Sequence, residues 1–372
     1  MNVFGIVSYN IYCNFTNYGS ALQSWALYKM CNGISCGNWK TVLVDYCPDC
    51  LADKDPLNPF ANMWDKDEES RRLCEMTLPA IRENYFKFDS FYKNRFEKTP
   101  ACTSKDFDRV ARSENLNGFI CGSDTIFCIN EFNGFDDGYF ANYECMRGAS
   151  VAYAASVGDS KFEGDDAIVL EERMKNFKAV GLRENGLVPY LMNRVTIPVK
   201  KVIDPTLLLT STDYDTIAEK RQVDAPYLLL YARRYNAAME RYAKRIAKER
   251  NLKIVEISLR ATNSQKGHIM RYDAGVEEFL SLIKYADFVV TNSFHGLIFG
   301  VQYKRPLVVF SREQAGSKIS ELLSLFGMEK SMFVTDAGEY ERINYDVVHQ
   351  RINVEREKSV EFLKKELELL CT

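Results

Sequence analysis

A histidine follows a short apolar run in the second half of the chain, in a place where anion chemistry is possible. Phe288–Val290 reads as a strand buried on both faces, and Ser293 directly after it is a strong helix N-cap type. His295 is therefore predicted in the first turn of a helix that opens at the carboxyl end of a parallel strand. An α/β sheet binds its ligands at that edge.

The turn around His295 has two further features of an anion site. The free N–H groups and the dipole of a helix start favour negative charge, which gives Ser293 and its neighbours a substrate-binding role. Gly296 has no side chain, so a ligand can approach the backbone there. A single histidine after a strand also serves as a cap or a packing residue, and the turn alone leaves both interpretations open.

Arg183 is the cation that we predict on the first half of the chain. It follows the predicted strand Ala179–Leu182, so its guanidinium is expected at the carboxyl edge of a sheet. Guanidinium groups bind phosphates and carboxylates through two parallel hydrogen bonds. The alternative is a partly exposed arginine that only pairs with its neighbour Glu184.

Three more basic residues are candidates for the same anion site. Arg233 and Arg234 follow the predicted strand Tyr227–Tyr231, and one of them is expected to bind substrate while the other is solvated. Lys318 stands near the start of a predicted helix and is a further candidate for substrate binding.

A carboxylate candidate follows another predicted strand. Asp124 comes after Leu116–Cys121 and a glycine that permits a tight turn, so its side chain is expected to point out of the carboxyl edge of the sheet. A turn-forming aspartate also bonds its own backbone, and that alternative stays open.

The elements that must position these residues alternate between strand and helix. The βα pattern runs from Val3, is interrupted around residues 205–226 and then restarts. This predicts an α/β protein with two Rossmann-like domains that face a cleft. We expect a first domain over 1–200, with a helical insertion at about 48–98, and a second over 201–346. The tail 347–370 is predicted as an amphipathic helix that joins the first domain.

Composition excludes several classes of protein. The chain has 372 residues, is 46% hydrophobic and carries a formal net charge of −3, so no basic excess suggests nucleic-acid binding. The first residues lack the pattern of a signal peptide, and no apolar run is long enough to span a bilayer. We expect a cytoplasmic protein, and contact with the inner membrane face stays open. Cys47 and Cys50 are the only close cysteine pair, which is weak evidence for a metal, and free thiols are expected.

Six short strings occur in a fixed order and resemble the polysaccharide pyruvyl transferase family. They are Asn17-Tyr-Gly-Ser-Ala-Leu-Gln23, Cys121-Gly-Ser-Asp124, Ala152-Tyr-Ala-Ala-Ser156, Gly181-Leu-Arg-Glu184, Ile203-Asp-Pro-Thr206 and Thr291-Asn-Ser-Phe-His-Gly296. The resemblance implies a pair of Rossmann domains like those of glycosyltransferase-B enzymes. It also implies transfer of pyruvate from phosphoenolpyruvate to a sugar as a cyclic ketal, with no cofactor and no metal.

The resemblance assigns roles to particular residues. His295 is expected to bind the phosphate of phosphoenolpyruvate and to protonate it as it departs. Arg183 is expected to bind phosphate or carboxylate from the opposite wall of the cleft. Asp124 is expected at the acceptor hydroxyl, with Asn17 and Tyr18 lining the acceptor side.

Two other functions compete with pyruvyl transfer. One is a glycosyltransferase of the same architecture that uses a nucleotide-sugar donor, and the other is a sugar-binding protein without activity. The expected partners are phosphoenolpyruvate and a sugar acceptor. The acceptor's identity, its attachment to a lipid and the formation of a homo-oligomer are left open by the sequence.

Overall fold

Two parallel sheets form the framework of the protein. A computed structural model describes residues 1–12, 16–55, 57, 68–233, 235–257, 267–311 and 316–371. The first sheet has strands β1 to β6, which are Asn2–Val7, Trp39–Leu43, Gly118–Cys121, Ser150–Ala155, Phe177–Leu182 and Val199–Lys201. The second sheet has strands β7 to β12, which are Tyr227–Tyr231, Lys253–Ile257, Ile269–Met270, Phe288–Thr291, Leu307–Phe310 and Met332–Phe333.

Helices connect the strands and cover both sheets. In chain order α1 to α12 are Tyr18–Gly33, Glu68–Arg95, Phe107–Ser113, Ile129–Phe132, Asp165–Met174, Leu187–Met192, Ser211–Asp215, Ala237–Glu249, Val276–Lys284, Phe294–Gln302, Gly316–Phe326 and Tyr345–Leu370. No helix in the described part of the chain has both the length and the apolar composition that crossing a membrane requires.

The order of the strands confirms the predicted fold class. The first sheet runs β2-β1-β3-β4-β5-β6 and the second runs β12-β11-β10-β7-β8-β9, and every pairing is parallel. Strands such as β10 and β11 are buried at every residue, because helices cover both faces of a parallel sheet. The protein therefore consists of two Rossmann-like α/β units, and each unit directs the carboxyl ends of its strands toward one edge.

The end of the sixth strand matters for the site. Strand β6 ends at Lys201, before the string Ile203-Asp-Pro-Thr206. A turn of 3-10 helix follows at Pro205–Leu207, and the side chain of Asp204 caps it by accepting a hydrogen bond from the backbone N–H of Thr206 at 2.9 Å. A proline at the first helical position favours such a turn, because it needs no N–H there.

The insertion between β2 and β3 joins the two units. Its long helix α2 carries Lys87, whose Nζ lies 3.1 Å from Asp273 and 2.9 Å from Glu278. At the end of the same helix, Arg95 pairs with Glu277. These carboxylates lie at the start of α9, a helix of the second unit, so α2 holds the second unit against the first through several partly buried ion pairs.

Tyr18, the first residue of α1, lies at the same contact between the two units. Its ring stacks on Phe279 of α9 at a centroid distance of 4.4 Å, and its hydroxyl donates a hydrogen bond to the carbonyl oxygen of Ala274 at 2.7 Å. The side chain of Tyr18 is buried. It therefore contributes both apolar area and a satisfied hydrogen bond to the contact.

The last helix, α12, returns from the second unit to the first sheet. The Oγ of Ser359 accepts a hydrogen bond from the backbone N–H of Ile203 at 3.1 Å. Phe362 lies so close to strand β5 that a Cβ placed on Gly181 would come within 3.0 Å of its ring. The position thus needs glycine for this helix to pack on the sheet.

We predict that truncating Tyr18 weakens the contact between the units in two separable steps. Tyr18→Phe removes the buried hydrogen bond to Ala274 and the longer one that the hydroxyl accepts from Asn84 at 3.5 Å, and is expected to lower the free energy of unfolding by about 1–2 kcal/mol. Tyr18→Ala also removes the stacked ring and should cost about 3–5 kcal/mol. Chemical denaturation measures both, with the exposed Phe86→Ala as control. Equal stability of Tyr18→Ala and Phe86→Ala would contradict the assignment.

Candidate functional site

His295 stands where the sequence predicted it, at the start of a helix after strand β10. Ser293 is the N-cap of α10, and its Oγ accepts a hydrogen bond from the backbone N–H of Gly296 at 3.3 Å. The Oγ1 of Thr291 accepts a hydrogen bond from the N–H of Ser293 at 3.0 Å, which fixes the turn between strand and helix. The imidazole is buried, and its Nε2 makes no hydrogen bond.

Arg183 follows strand β5 of the first sheet. It makes other contacts besides the predicted one with its neighbour Glu184. Its Nη1 lies 2.9 Å from Oδ2 of Asp204, and its Nε lies 3.5 Å from Oε1 of Glu184. The guanidinium also lies over the ring of Phe294 at 5.0 Å. Burial would lower the pKa of Arg183, but the carboxylates of Glu184, Asp204 and Asp124 raise it above its ordinary value.

Asp204 contacts side chains of both units. The same Oδ2 that binds Arg183 lies 3.7 Å from Nε2 of His295, which is too long for a hydrogen bond and allows ionic attraction when the imidazole is protonated. Its other oxygen, Oδ1, accepts hydrogen bonds from the backbone N–H and the hydroxyl of Thr206. Burial alone would raise the pKa of Asp204. The hydrogen-bond donors and the positive charges of His295 and Arg183 hold it well below its usual range instead.

Lys318 of helix α11 reaches across to the first unit. Its Nζ donates a hydrogen bond to the Oγ of Ser156 at 2.8 Å and lies 3.5 Å from Oε1 of Glu184. Burial and the positive charge of Arg183 lower the pKa of Lys318. Arg183, His295 and Lys318, with the carboxylates of Asp204 and Glu184 between them, form what we call the cationic cluster.

A glycine of the first unit makes room for the imidazole. A Cβ placed on Gly19, in the first turn of α1, would lie 1.9 Å from Nδ1 of His295, so no larger residue fits while the ring stays in place. The space beside Gly296 is already filled, because a Cβ there would lie 2.4 Å from Oγ1 of Thr291. Gly296 therefore serves the packing of α10 on its own strand, and the room predicted for a ligand is not at this residue.

Asp124 lies within electrostatic reach of the cluster. It has a positive φ of 74°, and its Oδ1 accepts a hydrogen bond from the backbone N–H of Thr125 at 2.9 Å, as a turn-forming aspartate does. Its Oδ2 accepts a hydrogen bond from the hydroxyl of Ser20. The charge of Asp124 acts to raise the pKa of both Arg183 and Lys318. Asp124 thus forms a turn and also lies near Arg183 and Lys318.

The other predicted residues have different surroundings. Asn17 caps helix α1 by accepting a hydrogen bond from the N–H of Gly19 at 3.0 Å, and Tyr18 packs between the units as described above. The backbone N–H of Arg233 donates to Oδ1 of Asn292 at 2.8 Å, which holds its turn beside the start of α10. Arg234 lies outside the described residues.

Sequence reasoning missed several members of this site. An aspartate before a proline is typical of a turn, and Asp204 does form one with Thr206, but its carboxylate also binds Arg183. Gly19 and Ser156 had no assigned role. Each of these three residues belongs to one of the six ordered strings. Membership of those strings was the signal that the sequence offered.

The close cysteine pair is not joined by a disulfide. Cys47 and Cys50 are free thiols, and burial raises the pKa of both. Throughout the portion of the chain that the structure describes, no group of three or more His, Cys, Asp or Glu side chains is arranged to hold a metal ion.

Comparison with known proteins gives a family and a fold. The sequence profile described as polysaccharide pyruvyl transferase matches residues 17–314. No curated protein sequence matches the chain.

Solved structures repeat the arrangement of the two units. One is the putative UDP-N-acetylglucosamine 2-epimerase from Listeria monocytogenes, with a TM-score of 0.52 and 9% identity over 98% of this chain and 91% of that one. A second, the UDP-GlcNAc 2-epimerase from Methanocaldococcus jannaschii, has a TM-score of 0.50 and 10% identity over 95% of this chain and 92% of that one. At this level of identity the likeness concerns the fold alone.

We predict opposite effects for two substitutions in helix α1. Gly19→Ala places a methyl group on Nδ1 of His295 and should lower the free energy of unfolding by about 1–3 kcal/mol. Gly33→Ala, at the end of the same helix, meets no atom within 4 Å and should stabilise the protein by up to about 1 kcal/mol. Denaturant unfolding of both variants measures the difference. Equal stability would show that the imidazole does not depend on Gly19.

We predict that Asp204 contributes a pH-dependent part of the stability. Because the folded protein lowers the pKa of this carboxyl, its contribution is present above the unfolded value of about 3.9 and is lost as the pH falls through the folded value. Asp204→Asn should cost about 3–5 kcal/mol near pH 7. The difference in the free energy of unfolding between Asp204→Asn and the wild type should become smaller in acid. Asp346→Asn, at an exposed residue, should have the stability of the wild type at every pH. A gap independent of pH would contradict the assignment.

Proposed function

Because the chain belongs to the polysaccharide pyruvyl transferase family, we propose that it transfers pyruvate from phosphoenolpyruvate to a pair of sugar hydroxyls in polysaccharide biosynthesis. The observation that carries the proposal is the cationic cluster. Arg183 from the first unit and His295 and Lys318 from the second meet around Asp204 and Glu184. A small donor with a phosphate and a carboxylate needs cations on both sides of a cleft.

The carboxylates of the cluster explain how the cations stay buried without substrate. Buried cations are costly unless a negative charge lies beside them. The contacts of Glu184 to Arg183 and to Lys318 are both 3.5 Å long, so they are weaker than well-formed ion pairs. In our proposal the oxygens of phosphoenolpyruvate replace these long contacts, and Asp204 keeps Arg183 in place.

His295 is the proposed acid. Its Nε2 faces Asp204, while Nδ1 lies beside Gly19 at the boundary of the two units. We place the departing phosphate beside the imidazole at the start of helix α10, which also favours negative charge. A proton passed from His295 to the phosphate oxygen would make the phosphate a better leaving group.

Asp124 is the proposed contact of the acceptor. An acceptor hydroxyl adds to C2 of the enol, C3 gains a proton to become a methyl group, and a second hydroxyl then displaces phosphate from C2. The hydroxyl that attacks must lose its proton, and Asp124 is the proposed base. This proton balances the one that C3 gains, and the proton of the second hydroxyl balances the one that His295 gives to the phosphate. The charge of Asp124 acts on Arg183 and Lys318, so the carboxylate lies near the cationic cluster. Ser20 holds the carboxylate by a hydrogen bond.

The first test measures donor binding, which needs no acceptor. Phosphoenolpyruvate should raise the melting temperature of the wild type, and UDP should not. Lys318→Met removes one charge-assisted contact, so the affinity for phosphoenolpyruvate should fall by about 10-fold or more. Stabilisation by UDP and none by phosphoenolpyruvate would favour a glycosyltransferase with a nucleotide-sugar donor instead.

The second part of the test measures turnover. Lipid-linked and nucleotide-linked sugars are incubated with phosphoenolpyruvate, and mass spectrometry detects the added pyruvyl group. With a sugar that reacts, His295→Gln should slow phosphate release by about 10²–10⁴-fold, because general-acid catalysis contributes that much. The matched control is His349→Gln in helix α12, whose Nε2 only contacts the carbonyl of Val301. Equal rates for the two variants would remove His295 from the mechanism.

A further inference from the structure

A glutamine in helix α1 is completely buried beside the turn that carries Asp124. Gln23 and the next residue, Ser24, are both 0% exposed. A polar amide is costly to bury unless its hydrogen bonds are made, whereas a methionine of similar size would pack at the same place without that cost. The amide of Gln23 therefore supplies something that an apolar side chain cannot, and its hydrogen bonds show what it holds.

The amide oxygen of Gln23 binds the residue directly before Asp124. Its Oε1 accepts a hydrogen bond from the backbone N–H of Ser123 at 2.9 Å. Because a backbone N–H can only donate, the amide oxygen and not the nitrogen must face it. Helix α1 thus holds the backbone of the turn through two residues that are 100 positions apart in the chain.

The amide nitrogen of Gln23 binds helix α1 itself and the residue after strand β1. Its Nε2 donates to the carbonyl oxygen of Ser20 at 3.0 Å, and lies 2.9 Å from Oγ of Ser24 and 3.0 Å from Oγ of Ser8. Ser20 is the residue whose hydroxyl donates to Oδ2 of Asp124. Gln23 therefore contacts both the residue before Asp124 and the residue that binds its carboxylate.

The end of strand β4 holds the same turn from the other side. The Oγ of Ser123 donates to the carbonyl oxygen of Ala154 at 2.7 Å. The carbonyl oxygen of Asp124 accepts a hydrogen bond from the N–H of Ser156 at 2.9 Å. The positive φ of Asp124 is a conformation that residues other than glycine keep only where the surrounding contacts require it. Contacts with α1 and β4 together supply that requirement.

Three of the six ordered strings meet in this network. The first three strings along the chain contain all of its residues except Ser8 and Ser24. Their hydrogen bonds converge on the turn that presents one carboxylate, that of Asp124. The direction of this carboxylate is therefore set by residues from three separate parts of the first unit.

We propose that Gln23 is a positioning residue for the acceptor step, and that it acts on Asp124 through Ser123 and Ser20. The inference rests on the proposed function, because it takes Asp124 as the base that receives the proton of the acceptor hydroxyl. A base must lie within hydrogen-bond reach of that proton, and a misplacement of about 1 Å costs a reaction about 100-fold in rate.

The donor side of the site does not share these contacts. The hydrogen bonds of the Gln23 amide in the described part of the chain all go to residues outside the cationic cluster. Loss of the amide should therefore slow the transfer of pyruvate and leave the binding of phosphoenolpyruvate as it is. A role in stability alone would not separate these two quantities.

Two substitutions remove parts of the network. Gln23→Met is similar in size and removes the amide. Ser20→Ala removes only the hydroxyl that binds Asp124 and places a better helix former in α1, so it tests the same carboxylate if the first variant does not fold. Circular dichroism and melting temperature show whether each variant is folded.

The matched control is Asn32→Leu at the other end of helix α1. The amide of Asn32 also accepts a hydrogen bond from a strand residue, the N–H of Thr41 at 2.9 Å. It also donates to a carbonyl oxygen of its own helix, that of Tyr28 at 3.1 Å. The control thus loses the same kinds of hydrogen bond from the same helix, but none of them holds the turn at Asp124.

Hydrogen exchange followed by mass spectrometry reports on the turn without any substrate. The peptide that contains Ser123 should exchange about 5–10-fold faster in Gln23→Met than in the wild type or Asn32→Leu, because the N–H of Ser123 has lost its acceptor. Unchanged exchange of this peptide in Gln23→Met would overturn the proposal, whatever the turnover of the enzyme.

Kinetics with the sugar found to react then separate positioning from stability. We expect kcat to fall about 10–100-fold in Gln23→Met and about 10-fold in Ser20→Ala, while the affinity for phosphoenolpyruvate measured by calorimetry stays that of the wild type. Asn32→Leu should lose melting temperature and keep its kcat.

The results distinguish the inference from the proposed function. A kcat of Gln23→Met equal to that of Asn32→Leu would overturn the inference, and so would a loss of affinity for phosphoenolpyruvate in Gln23→Met. If the wild type transfers pyruvate to no sugar, the proposed function fails, and hydrogen exchange alone decides whether Gln23 holds the turn.

Discussion

A single buried carboxylate, that of Asp204, holds the two halves of the candidate site in register. One of its oxygens lies 2.9 Å from the guanidinium of Arg183 and 3.7 Å from the imidazole of His295, and these two side chains belong to different α/β units. The other oxygen is committed to the turn that begins the connection between the units. The carboxylate that contacts both Arg183 and His295 therefore belongs to the segment that connects the two units.

Burying so many charges at one place is expensive, and the structure offsets the cost by pairing. Arg183 lies between Asp204 and Glu184, and Lys318 lies beside Glu184 and Ser156. The pKa of Lys318 is nevertheless lowered by burial, so its pairing is incomplete. An anionic ligand that took the place of Glu184 beside Lys318 would favour the charged ammonium, because it would lie nearer to the lysine than the carboxylate does.

The units are also held together by contacts of another kind. Tyr18 stacks on Phe279, and Lys87 of the insertion bonds Asp273 and Glu278. These contacts combine apolar burial with short ion pairs. In the cationic cluster the contact of Arg183 with Asp204 is 2.9 Å long, whereas both contacts of Glu184 are 3.5 Å long and the Nε2 of His295 makes no hydrogen bond. In our proposal the contacts of Glu184 are the ones that the ligand replaces.

The sequence by itself determined the fold class and the local position of His295. Apolar runs such as Phe288–Val290 require a sheet that is buried on both faces, and a serine before a helix satisfies the free N–H groups of the first turn. Both are local constraints, so neighbouring residues suffice to read them. The six short strings also identified the family. They lie in or near strand ends and helix starts, so they can be read from the local sequence.

Only the tertiary structure decided which distant groups meet. Gly19 and His295 are far apart in the chain, yet the imidazole fits only because residue 19 lacks a side chain. Asp204 looked like a turn residue because its contact with Thr206 is local, while its contacts with Arg183 and His295 depend on how the two units dock. Tyr18 was expected to face the acceptor, but its ring packs between the units. The docking of two sheets is set by long-range packing, and spacing along one chain carries no record of it.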